Sequence, residues 1–116
     1  MYEYHCRLDS DKYEMGCVDG DTVDVIIDLG FRVKMNQRIR LAHVDTPERG
    51  EDDFKKATWT LREILKDAIA TDCRLILRTS KQGKYGRWLG ELMSLDLVHN
   101  VNEKMAQLWP YTRKHG

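Results

Sequence analysis

From Thr22 to Val44 the apolar residues fall mainly on alternate positions, and this period constrains the chain more than any other feature. Val23, Val25, Ile27 and Leu29 share one face, while Asp24 and Asp28 take the other. That alternation predicts a half-buried strand over 22–29. Gly30 ends it. Val33 to Val44 continues as strand, with Ile39, Leu41 and Val44 as core candidates, until Pro47 blocks continuation. Tyr2 to Leu8, rich in aromatics, reads as a first strand. Arg74 to Thr79 alternates again, with Leu75 and Leu77 against Arg74, Ile76 and Arg78, and Trp88 to Leu95 supplies a further strand.

Between the two halves the period changes. Phe54, Ala57, Leu61, Ile64, Leu65 and Ala68 recur at helical spacing, which predicts a helix within 52–70. Asp52 and Asp53 suit its positive N-terminal end. A short second helix is expected over 101–108, ended by Pro110. The order β-β-β-α-β-β-α is α+β and mainly β. Five short strands with an intervening helix fit a small Greek-key barrel better than a parallel sheet. A chain of 116 residues, without repeat or linker, makes a single domain over 1–116.

Charge and cysteines exclude several classes. Nineteen basic and nineteen acidic residues cancel, so global charge does not mark a nucleic-acid binder. Their distribution is uneven. Phe31 to Val44 and Arg74 to Gly90 contain bases and no acid, whereas acids gather in Asp9 to Asp28 and Asp45 to Asp53. Cys6, Cys17 and Cys73 lack the spacing of a disulfide framework or zinc site and read as free thiols in a reducing compartment. No apolar run is long enough to span a bilayer. Met1 to His5 lacks the marks of a secretory signal, so a cytoplasmic location is expected unless a signal has been removed.

The chemistry concentrates at the ends of the alternating segments. Asp19-Gly20-Asp21-Thr22 precedes one strand, and Arg40 leads into Val44-Asp45-Thr46-Pro47-Glu48 at the end of the next. Asp21 and Asp45 are candidate metal ligands. Carboxylates without a nearby Cys or His pair favour a hard cation such as calcium or magnesium. Alternatively, Asp19 and Asp21 form an Asx-type turn at Gly20. Arg40 faces away from the core and could clamp a phosphate, with Arg87 as a second clamp. Taken singly, each arginine also fits a solvated strand residue. Glu48 could activate water as a general base, although spacing alone does not separate it from Glu51, Asp52 or Asp53. His5, His43, His99 and His115 show no catalytic pairing.

These motifs, together with Lys84-Tyr85-Gly86-Arg87 and Val101-Asn102-Glu103, resemble the staphylococcal nuclease family in order and spacing from about Val18 to Glu103. The resemblance implies a five-stranded OB-fold-like barrel with one main helix and a short second one. It also implies calcium-dependent hydrolysis of DNA and RNA, on single-stranded or breathing substrate, leaving 3′-phosphate ends. By position, Asp21 and Asp45 resemble the metal carboxylates, with the Thr46 main-chain carbonyl beside them and Asp19 as a neighbouring acid. Arg40, Glu48 and Arg87 resemble the catalytic set, and Lys84 and Tyr85 the contacts to a terminal phosphate.

The resemblance departs at three places. Asp9 to Gly16 is polar and turn-like, so an irregular first hairpin is expected. The loop from Glu48 to Asp52 is short, which implies a reduced flap. The segment Ala106 to Tyr111 is compressed, so Trp109 and Tyr111 are not expected to align with the family's aromatic wall. The expected partner is DNA or RNA, with no membrane, and the expected state is a monomer. The alternative is a catalytically silent OB-fold module that binds single-stranded nucleic acid. Such modules usually lose part of the set Asp21, Asp45, Glu48, Arg40 and Arg87, which is complete here.

Overall fold

The computed structural model describes residues 2–70, 73–80 and 88–109. Its strands are β1 (Tyr2–Leu8), β2 (Cys17–Asp19), β3 (Thr22–Asp28), β4 (Lys34–Leu41), β5 (Leu75–Thr79) and β6 (Trp88–Ser94), with helices α1 (Phe54–Ala68) and α2 (Val101–Leu108). They form one six-stranded sheet in the order β1-β5-β6-β4-β3-β2. Strand β1 also pairs with β3, so the pairings return from β3 to β1, with β2 attached outside this circuit. Every pairing is antiparallel except β4 with β6. The architecture is mainly β, as the alternation predicts, and OB-fold-like, as the family resemblance implies.

The count is six strands rather than five because the first hairpin is broken. After Leu8 the Asp9 N–H donates to the Asp24 carbonyl at 2.9 Å, and the chain then turns through Met15 at φ 55° and Gly16 at φ 72°. A Cβ on Gly16 would run into the Asp24 carbonyl oxygen, so this crossing requires glycine. Strand β2 resumes pairing at Cys17 opposite Val23, with a register irregularity before Asp19. The polar stretch that reads as an irregular hairpin is one. It delivers Asp19-Gly20-Asp21 to the start of β3.

Val23, Val25 and Ile27 enter the core as their alternation requires, with Ile39 and Leu41 from β4 and Leu75, Leu77 and Leu92 from β5 and β6. Each fully buried aliphatic side chain contributes about 1.5–3 kcal/mol. Leu29 departs from this pattern and is 39% exposed. Strand β3 ends at Asp28, and the Leu29 N–H closes a tight turn onto the Val33 carbonyl at 2.9 Å. Strand β4 is also shorter than 33–44. It stops at Leu41, and His43 turns the chain at φ 62° while Val44 returns to the core. Ile76, expected opposite the core, is buried with Leu75 and Leu77.

Of the predicted stripe, helix α1 buries Ala57, Leu61, Ile64, Leu65 and Ala68, while Phe54 is half-buried. Asp53 takes the N-cap position in a left-handed conformation, without a side-chain cap. Helix α2 has the predicted bounds. Asn100 caps it by accepting the Glu103 N–H at 3.0 Å, and Val101 and Met105 pack into the same core as Leu61 and Leu65. The expected stop at Pro110 lies outside the described residues. No described helix is long and apolar enough to cross a membrane.

Candidate active site

Antiparallel pairing of β3 with β4 sets Thr22 opposite Arg40 and thereby brings the two separated motifs together. The Leu41 N–H donates to the Asp21 carbonyl at 2.8 Å, extending this junction by one residue. Gly20 permits the next approach. A Cβ there would lie 2.6 Å from the Thr46 hydroxyl oxygen and 2.8 Å from the Ala57 Cβ. Asp19 accepts the Asp21 N–H through Oδ1 at 3.0 Å, so the Asx-type turn is real. It coexists with a functional placement of Asp21, because the turn uses the Asp19 side chain and the Asp21 backbone.

The Asp21 carboxylate is nearly enclosed, with its side chain 12% exposed. Oδ1 accepts from the Thr22 hydroxyl at 3.0 Å, and Oδ2 accepts from the Thr46 N–H at 3.3 Å. Burial, then the neighbouring Asp19 carboxyl, pushes its pKa up from 3.8 to about 6, against the opposing charge of Arg40. Desolvation outweighs the guanidinium, whose Nη1 stands 3.3 Å from the carboxylate.

Arg40 joins the parts. Its Nη1 lies 3.3 Å from Asp21 Oδ2, and its Nη2 lies 3.8 Å from Asp45 Oδ1. Nη1 also donates to the Val44 carbonyl at 2.6 Å and the Leu41 carbonyl at 3.3 Å, which anchors the guanidinium on the turn after β4. The anchoring falls on Nη1. The described contact of Nη2 is beyond hydrogen-bond length, so that edge of the fork retains donor capacity. Arg40, Asp19 and Thr22 line a groove of about 360 Å³ that continues to Gln37 and Trp88.

A second device holds the turn from behind. Asn102, buried in α2, donates to the Ala42 and Gly90 carbonyls at 2.9 Å each and accepts the Leu92 N–H at 3.0 Å. One amide thus links α2, β6 and the chain leaving β4. Its motif is visible in the sequence, but its partners are distant backbone groups that no local pattern specifies.

Asp21, Arg40, Asp45 and Thr46 therefore converge, with Asp19 beside them. Glu48 does not share their enclosure. It is exposed, in a turn where its N–H donates to Glu51 Oε1 at 2.6 Å and the Glu51 N–H donates back to its carbonyl at 2.9 Å. Lys84, Tyr85 and Arg87 lie outside the described residues, as does Tyr111. Among the described residues no group of three His, Cys, Asp or Glu side chains is arranged to hold a metal ion. His43 is exposed.

The model of the family described as staphylococcal nuclease homologue matches residues 38–108. The chain belongs to the staphylococcal nuclease family. This match takes in Arg40, Asp45, Thr46, Glu48 and the segment carrying Lys84, Tyr85 and Arg87, while Asp19 and Asp21 precede it. No curated protein matches the chain. Membership in the staphylococcal nuclease family makes this a nuclease-like or nucleic-acid-binding domain, and Arg40 joins its cluster of Asp21, Asp45 and Thr46 to the groove.

Proposed function

We propose that this protein is a calcium-dependent nuclease that hydrolyses DNA and RNA, acting best on single-stranded or breathing substrate. The observation that carries the reading is Arg40, which is held against Asp21 and Asp45 and also lines a groove with Asp19 and Thr22, in a chain of this family.

The donor chemistry fits calcium. Asp21 and Asp45 offer carboxylates, and Thr46 offers a main-chain carbonyl. The Thr46 hydroxyl is buried without a hydrogen-bond partner beside Gly20, another hard oxygen close to the same point. All are oxygen donors, and they leave positions for water and phosphate. Calcium, when bound, would polarise a phosphoryl oxygen and offset negative charge on the phosphate.

The chain's own residues do the remaining work. Arg40 donates from its fork to a phosphoryl oxygen, and Arg87 supplies a second guanidinium that meets charge developing in the transition state. Glu48 takes a proton from the water that attacks phosphorus. The bond to the 5′ oxygen breaks, that oxygen takes up a proton, and the 3′ side keeps the phosphate. Lys84 and Tyr85 hold a terminal phosphate. Glu48 is exposed, which leaves its carboxylate open to solvent water.

A second reading is a binding module without cleavage. It draws on Arg40 already neutralising both carboxylates. Digestion of heat-denatured DNA with calcium, beside EDTA and Glu48→Gln controls, separates the two. Calcium-dependent loss of substrate in the parent alone supports the nuclease, with at least ~100-fold slower turnover in Glu48→Gln. A salt-sensitive gel shift without cutting supports the module.

A further inference from the structure

A second pocket of about 340 Å³ lies between the broken first hairpin and the start of α1. Arg49, Lys55 and Arg62 line it with Tyr13, Phe54 and Val18, and no Asp or Glu is among its lining residues. None of the three cations forms an ion pair among the described residues, and the buried Nε of Arg62 has no hydrogen-bond partner. A buried N–H without an acceptor is costly, about 1–3 kcal/mol, and marks a place where an anionic oxygen would be welcome.

Two aromatic members of the pocket each carry a guanidinium over one ring face. Arg49 lies over the Phe54 ring at 5.1 Å, and Tyr13 carries Arg38 over its ring at 5.7 Å. Arg38 is held in turn by Asp24 through two bonds of 2.8 and 3.1 Å, so it offers Tyr13 a platform rather than free charge. The pocket adjoins the groove beside Arg40. Val18 lines both depressions, and Arg38 lines the groove while its partner Tyr13 lines the pocket.

We infer that this pocket is an additional phosphodiester subsite, which holds the substrate strand beyond the phosphate engaged by Arg40. Arg49, Lys55 and Arg62 hold backbone phosphate oxygens, and Tyr13 and Phe54 pack against an unpaired base or its sugar. The inference rests on the nucleic-acid reading of the groove. It adds a direction: the strand crosses Val18 toward the first turn of α1.

The test is binding of labelled oligothymidylates of about four and about twelve nucleotides, in EDTA so that nothing is cut. The variant Arg49→Ala/Lys55→Ala alters two exposed side chains and preserves the core. Its expected result is parental affinity for the short oligonucleotide and about tenfold or greater loss for the long one. Its salt slope on the long strand falls by about 1.4, or about 0.7 for each lost single-strand phosphate contact. Arg62→Gln, checked for a native unfolding transition, shows the same length-dependent loss. A parental slope and length preference in the double variant overturn the subsite while leaving the groove intact. Equal loss on both lengths overturns it too, because a general field makes no length distinction. A parent that binds neither strand in EDTA, and cuts neither when calcium is supplied, overturns the subsite and the nucleic-acid reading together.

Discussion

Arg40 Nη1 stands 3.3 Å from Asp21 Oδ2, across a strand pairing that sets Arg40 opposite Thr22. The charge of a buried carboxylate is thus partly met by a guanidinium from the next strand. Burial still keeps Asp21 easier to protonate than an ordinary carboxylate, so the pair costs stability that a bound cation could return.

A pH dependence follows. The folded protein holds the Asp21 proton to about 6, while the unfolded chain releases it near 3.8. Between these values the folded state binds more protons, so this carboxyl's stabilising contribution is present in acid and lost as pH rises through that window. At about 1.4 kcal/mol per unit the loss is of order 2–3 kcal/mol. Asp21→Asn should therefore be more stable than the parent at neutral pH in EDTA, and bind calcium more weakly. Urea midpoints against pH, with a calcium titration, measure both. Parallel profiles in parent and variant would remove the buried carboxylate as the cause.

Gly20→Ala should damage site and fold together. Its Cβ would sit 2.6 Å from the Thr46 hydroxyl oxygen and 2.8 Å from Ala57, so Thr46 or α1 must shift. Overpacking of this kind costs about 1–3 kcal/mol. Thermal unfolding reads the cost, and a calcium titration reads the displaced Thr46. A variant as stable as the parent would show that the close approach has room to relax.

Asn102→Ala should cost about 2–4 kcal/mol, because it strips hydrogen bonds from the Leu92 N–H and the Ala42 and Gly90 carbonyls. It should also slow turnover, since Ala42 directly follows the Arg40-Leu41 pair. Denaturant unfolding and turnover of the folded fraction separate the two effects. Full turnover in the folded fraction would confine Asn102 to stability.

The thiols should divide sharply. Burial pushes Cys6 and Cys17 up to about 12, while Cys73 is exposed. A thiol reagent at neutral pH should therefore label Cys73 quickly in the native protein and reach Cys6 and Cys17 only on unfolding. Mass spectrometry of labelled peptides decides it. Rapid labelling of Cys17 would mean that the seam between β2 and α1 opens readily.

Most of the elements, and the residue types that gather at their ends, are local properties of the sequence. Alternation over 22–29 and 33–44, helical spacing after Asp52 and the turn-like stretch before Gly16 are local properties, and local backbone geometry turns them into faces. They placed Val23, Ile39 and Leu61 in the core without reference to distant residues. They failed at Leu29, which reads as core but sits past the last paired residue, where a turn rather than the period decides its direction. They failed also at Ile76, which is buried although it alternates with Leu75 and Leu77. The acids and arginines were likewise legible as residue types, and their order along the chain pointed to one family. Which of them meet was decided by tertiary structure. Strand register brings Asp21 against Arg40, the absent Cβ of Gly20 admits Thr46, and the helix starting at Phe54 carries Lys55 and Arg62 to a hairpin edge lined by Tyr13. These contacts join residues far apart in the chain, and their energies depend on burial and on which water is excluded. Neither quantity exists until the strands have paired.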